Sequence, residues 1–300
     1  MTERQTRPGP RQVLTSVGAR LCAVATIGIG LLLVGNVLAQ APATGTAKAS
    51  AAKSSKKATI AGPAIEIEPK ALAILKAASD RLAGAKTLAF TAYVSEESPS
   101  RLGPALLYTT RYDVTLQRPN KLRVISPGDG PASELYYDGK TISAYAPAEN
   151  MLAVAPAPGT IDAALLEAFK SADIYYPFTD LIVVDPYRAV DEGLRVAFYV
   201  GQAKTIGGTT TDIVAFANDD VFVQLWIGAE DKLPRKVRAV YRRDQKQLRH
   251  EMEMGNWQLD APVADNAFAP PAAAQSAMKI AFAKPEAQAH AKPVPKPLAK

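Results

Sequence analysis

Cysteine and histidine are almost missing from this sequence of 300 residues: one cysteine occurs, Cys22, and two histidines, His250 and His290. A chain so supplied builds no internal disulfide and no thiolate metal site. A zinc site is equally poorly provided for. A Ser-His-Asp arrangement would have to use His250, which lies in a strand-like stretch, and no nucleophile-elbow sequence accompanies it. No cofactor, no metal and no catalytic residue is therefore expected, and the chain is read as a non-enzyme. Long apolar runs are also scarce, with one exception from Leu21 to Leu38.

That exception follows Arg4, Arg7, Arg11 and Arg20 and ends in Val37, Leu38 and Ala39, the layout of a secretory signal peptide over residues 1–39. The alternative is an uncleaved inner-membrane anchor, since the apolar stretch approaches spanning length. Ala19, Arg20 and Leu21 before Cys22 do not suit lipidation. Gly28, Gly30 and Gly35 resemble a phosphate loop only superficially, because they belong to the same leader. The expected location is the periplasm.

Charge is unevenly spread beneath the net value of +6. Residues 63–269 carry 22 basic and 27 acidic side chains, while the flanks are lysine-rich and nearly free of acids. A nucleic-acid partner would want the positive charge on the folded part, so none is expected. Residues 40–65 and 270–300 are rich in Ala, Pro and Lys and are expected to be disordered, with membrane-surface or envelope contact through their lysines as a functional option. The domain is expected at 66–269.

Within that domain the hydrophobic period is two almost throughout. Leu88, Phe90, Ala92 and Val94, then Tyr108, Tyr112, Val114 and Leu116, alternate with polar positions as strands with one wet face do. Asp138-Gly139 reads as a hairpin turn. A helix with Pro69 near its start and Gly84 past its end precedes the strands. The period changes to about 3.6 once, from Thr160 to Glu192, where Thr160 can cap and Ile161, Leu165, Ala168 and Phe169 share a face. From Leu194 the strands resume, giving about eleven in one curved antiparallel sheet. Adjacent acids at Glu96-Glu97 and Asp219-Asp220 read as solvated strand ends; a glycosidase pair needs no sequence spacing and stays a minor alternative. The basic residues Arg235, Lys236, Arg238, Arg242 and Arg243 read as the wet face of an outer strand, or as a surface steering an anionic partner.

The stretches YYDGKT at 136–141, APGTIDAAL at 157–165, YPFTDLI at 176–182, DPY at 185–187, LWI at 225–227 and LPRK at 233–236 together resemble an uncharacterised family of predicted periplasmic proteins. That family is similar to the lipoprotein carrier LolA and the mycobacterial lipid-binding proteins LppX and LprG, over about residues 66–270. The resemblance implies an α+β fold: an unclosed antiparallel β-barrel whose concave face is covered by helices and encloses an apolar cavity. LolA's lid-locking strand arginine finds no matching position here, so lipoprotein sorting is one candidate among several lipid-like guests.

The function expected is that of a carrier or binding protein, monomeric, for a hydrophobic ligand such as a lipid or lipoprotein acyl chain held beneath the 160–192 lid. An envelope interaction module without a guest, and a hydrolase, are the alternatives. If the even-numbered parity of the first strands faces the helices, the ligand-lining residues are Phe90, Tyr108, Tyr112, Leu122, Val124, Leu165, Phe169, Phe178, Leu181, Phe198, Leu225 and Met252. A slip of one residue would turn the strand members of that set to the other face.

Overall fold

The period-two segments pair into a single twelve-stranded sheet in a computed structural model that describes residues 66–128 and 131–284. The leader, the 40–65 linker and the end of the tail, with Cys22 and His290, lie outside the described residues. The strands are β1 (Thr87–Ser98), β2 (Leu106–Gln117), β3 (Lys121–Ser126), β4 (Ser133–Tyr137), β5 (Thr141–Ala146), β6 (Met151–Pro156), β7 (Val196–Ala203), β8 (Thr211–Ala217), β9 (Val221–Gly228), β10 (Pro234–Tyr241), β11 (Arg249–Leu259) and β12 (Met278–Ile280). Their order is β12-β6-β5-β4-β3-β2-β1-β11-β10-β9-β8-β7, with β7 and β12 at opposite edges. The sheet is thus unclosed, and every pairing is antiparallel except that of β12 with β6. The twelfth strand is the one that alternation does not announce, being three residues long.

Short turns set the registers. At Asp138-Gly139 the Asp138 carboxylate accepts from the amides of Lys140 and Thr141, each at 2.8 Å, and Gly139 takes φ 95°, a value that favours glycine.

Four helices cover one face of the sheet. Helix α1 (Pro69–Gly84) has proline in its first turn and buries Ala71, Leu75 and Ala78 against Ala197, Val214, Leu225 and Ile227. Helices α2 (Ile161–Ala172), α3 (Thr179–Ile182) and α4 (Pro186–Asp191) form the interruption expected between 160 and 192. Thr160 caps α2 by accepting from the Ala163 amide at 3.2 Å, and Asp173 closes it in a left-handed conformation with φ 54°. Ile161, Ala164, Leu165 and Ala168 pack on Leu122, Val124, Leu135, Tyr137 and Ile142 in the principal core.

The expectation that residues from 270 onward are without order is corrected through residue 284. Two short 3-10 helices, Asp265–Phe268 and Ala272–Ser276, lead into β12. Ala274 and Ala277 are buried against Tyr145 and Leu152 on the outer face of the sheet. Alanine is the commonest residue there, and two of these small side chains suffice to fit the surface of Tyr145 and Leu152.

Candidate functional site

The covered face carries an aromatic layer between sheet and lid. Phe90 of β1 stacks on Trp257 of β11 with ring centroids 4.5 Å apart and stands edge-on to Phe178 at 5.7 Å. Phe178, in the connection between α2 and α3, stacks on Tyr176 at 5.3 Å, and both present edges to Tyr112 of β2, at 5.5 and 5.8 Å. Offset and edge-on pairs at these spacings are favourable beyond the area that they bury. Phe178 is fully buried. The space between sheet and lid is occupied by these side chains.

A bulge explains how Trp257 joins. Ala89 pairs with Gln258 and Thr91 with Gly255, so Asn256 and Trp257 together stand opposite Phe90, and Asn256 takes φ 55°. An extra residue reverses the in-and-out alternation along a strand. Met252 and Met254 face the helices before the bulge; Trp257 and Leu259 pack against the same core after it. The Trp257 indole N–H donates to the Pro234 carbonyl at 2.9 Å.

The lid is tied down mainly where it meets the β2–β3 turn. The Ile161 amide donates to the Pro119 carbonyl at 3.0 Å. Arg118 donates to the Ile182 carbonyl of α3 at 3.0 Å and to the Leu82 carbonyl of α1 at 3.4 Å, so one guanidinium links turn, lid and α1. Burial lowers the pKa of Arg118, and its Nε is buried without a hydrogen-bond partner. Within the lid the Asp162 carboxylate accepts from the Val184 amide at 3.2 Å.

Eleven of the twelve residues expected to line a site are buried or half-buried, but they do not form one surface. Phe90, Leu122, Val124, Leu165, Phe178 and Met252 belong to the principal core, with Tyr112 and Leu181 packed against it. Leu225 is buried in the separate cluster under α1. Phe169 is half-buried, with the Lys284 ammonium 5.9 Å from its ring. Tyr108 has the expected parity but lies beyond the reach of the lid and is 57% exposed. Phe198 is misassigned by one position: Ala197, fully buried, is the β7 residue under α1, and Phe198 points to the other side. The even parity that holds in β1 to β3 becomes odd in β7, because each strand's phase is set by its own turns. Trp257 and Tyr176 are the members that alternation did not select, the first because of the bulge and the second because it lies in a connection.

Polar groups around the layer feel it. Burial raises the pKa values of Tyr112, Tyr175, Tyr176 and Tyr241, and nearby carboxylates add to the effect at Tyr112, Tyr175 and Tyr241. Burial also raises the carboxyl of Asp180. Among the described residues no group of three or more His, Cys, Asp or Glu side chains could hold a metal ion, and no helix is long and apolar enough to cross a membrane.

An open antiparallel sheet with a short helical lid pressed on an aromatic concave face defines the class of protein. The chain belongs to the family described as predicted periplasmic protein (DUF2092), whose sequence model matches residues 71–283. It is a periplasmic protein. Comparison with curated proteins gives no match. Among solved structures it is similar to LprF from Mycobacterium bovis, with 18% identity, a TM-score of 0.40, and coverage of 66% of this chain and 96% of that one. It is similar also to a LolA superfamily protein from Nitrosomonas europaea, with 10% identity, a TM-score of 0.33, and coverage of 67% and 97%. A third is a DUF1329 family protein from Desulfovibrio piger, with 11% identity, a TM-score of 0.33, and coverage of 66% and 95%.

Proposed function

We propose that this protein binds an apolar guest, such as the acyl chain of a lipid or lipoprotein, between the sheet and the α2–α4 lid, and that it does so without catalysing a reaction. The observation that carries the reading is the composition of the lid contact. Tyr176 and Phe178 meet Phe90, Tyr112 and Trp257 through ring faces and edges. Hydrogen bonds fasten the lid at Pro119 and Arg118, and the Lys284–Asp173 ion pair at 2.6 Å holds the C-terminal end of α2. A lid held by a few polar ties can part from the sheet along the aromatic layer, and a guest chain replaces the ring contacts given up. Native mass spectrometry and lipid extraction of the purified protein test this: a copurifying amphiphile, or uptake of a fluorescent fatty acid, supports it. A clean spectrum with no uptake overturns it.

A second reading is favoured by the filled interior, with Phe178 fully buried. In it the domain is an envelope interaction module without a guest, and its lysine-rich flanks contact membrane or cell wall. Recovery with envelope fractions that persists after deletion of both flanks would remove that role from them.

A further inference from the structure

The β1–β2 hairpin outruns the strands beside it. Its ladder extends from Thr87 and Gln117 to Ser98 and Leu106, whereas β3 pairs with β2 only between Asp113 and Gln117, and β11 pairs with β1 only as far as Glu96 and His250. The far part of the hairpin and its 99–105 loop therefore form a two-stranded finger, an arrangement that is marginal by itself in water. It nevertheless carries Leu102, which is 92% exposed, and Leu106, Leu107 and Tyr108, each more than half exposed. By alternation Leu106 and Tyr108 lie on the face of the lid and Leu107 on the outer face. Strands that are apolar on both faces are normally covered on both. Single exposed leucines are ordinary, but a contiguous group of them at a projecting tip marks contact with apolar material.

The same end of the sheet is rich in uncommitted positive charge. Asp219 pairs with Arg195 at 2.9 Å, Asp220 with Arg243 at 3.0 Å, and Glu97 with Arg249. Asp244 accepts from the amides of Lys246 at 3.1 Å and Leu248 at 2.8 Å. Among Glu96, Glu97, Asp219, Asp220 and Asp244, only Glu96 is left without a partner, and it lies on the face of the lid. Among the described residues the exposed side chains of Arg101, Arg242 and Lys246 are in no ion pair. On the outer face, Arg238, Arg242 and Arg249 line an open hollow of about 360 Å³ together with Phe222, Val240 and Gln247. Glu97 answers Arg249, and Glu251 lies 3.9 Å from Arg238, so Arg242 is the guanidinium there that meets no carboxylate. Guanidinium groups bond phosphate oxygens in pairs.

We propose that this end of the sheet docks on an anionic lipid bilayer: the leucines of the hairpin tip enter the apolar layer, and Arg101, Arg242 and Lys246 meet the lipid phosphates, with the arginine-lined hollow over a head group. A bilayer interface sets apolar depth beside phosphate charge, the two chemistries that the tip and the β10–β11 turn present together. A protein partner covers one face of a strand, whereas a narrow tip that is apolar on both faces suits a fluid layer that closes round it. Arg118 and Pro119, which hold the lid, follow the opposite end of β2, so docking leaves them clear of the bilayer. The surface stands apart from the apolar guest, because its binding is read without one.

Co-sedimentation of the protein purified from the periplasm, flanks included, with vesicles of phosphatidylcholine alone and of phosphatidylcholine with phosphatidylglycerol tests this. The parent should bind the vesicles containing phosphatidylglycerol at least about tenfold more tightly, since each cation near an anionic surface adds to affinity. The L102S/L107S protein, which gives up two apolar side chains, should bind those vesicles about tenfold or more weakly than the parent. The R101Q/R242Q/K246Q protein should lose a similar factor on them and keep the parent's affinity for phosphatidylcholine alone. All five side chains are exposed, so each variant should unfold at the parent's temperature, and a loss of binding then reports the surface and not the fold. A parent that binds neither vesicle, or either variant binding as the parent does, would overturn the docking surface.

Discussion

Trp257 lies flat against Phe90 because β11 holds one residue more than β1 opposite that point. Asn256 absorbs the extra length at φ 55°, a conformation that asparagine tolerates and β-branched residues do not. Asn256→Gly should leave stability almost unchanged, while Asn256→Val should cost about 1–3 kcal/mol in urea denaturation. An equal loss in the two variants would mean that the side chain, not the backbone, holds the bulge.

Phe178 is the centre of the lid contact, touching Phe90, Tyr112 and Tyr176. Phe178→Ala should destabilise the domain by about 3–5 kcal/mol if the surroundings stay rigid. It should also raise amide exchange across residues 161–191 more than in α1, since the lid loses its anchor there.

Arg118 joins three elements through two carbonyls. Arg118→Ala leaves the carbonyls of Ile182 and Leu82 unpaired, with an expected loss of about 2–3 kcal/mol. Arg118→Lys should recover only part of this, because an ammonium lacks the fork that reaches two acceptors at once. Full recovery by lysine, read from thermal unfolding, would contradict the bridging role.

How much of this was legible beforehand differs by element. Alternation along β1, β2 and β3 located Phe90, Leu122 and Val124 in the core, because each strand has one covered face and a register that fixes parity. Thr160 and the apolar face after it located the lid. The phase of β7 was lost by one residue at Phe198, and the reach of the lid over β2 was overestimated at Tyr108, since neither turn geometry nor helix position is encoded in a strand's own period.

The pair formed by Glu97 and Arg249 makes acid sensitivity testable. The Arg249 guanidinium and backbone amide both donate to the Glu97 carboxylate and hold its pKa below the ordinary value of 4.5. A depressed carboxylate stabilises the fold fully above its unfolded pKa, and the contribution disappears as pH falls through the folded value. The Glu97→Gln protein should therefore be less stable than the parent at neutral pH, and the gap should close on acidification below about 4.5. A gap that stays constant down to pH 2 would rule out this linkage.

Both margins of the open sheet are occupied by the ends of the domain itself. Ile67 bridges to Ala197 on β7, with the Glu68 amide bonded to the Ala197 carbonyl at 2.8 Å, and β12 runs beside β6. A bare strand margin is a template for pairing with another molecule. Shortening the chain to residue 269 should therefore leave the core intact by circular dichroism yet yield oligomers in light scattering, through the uncovered β6. The segments outside the apolar core thus serve as selvedges, and they keep a sheet that cannot close on itself from continuing into its neighbours.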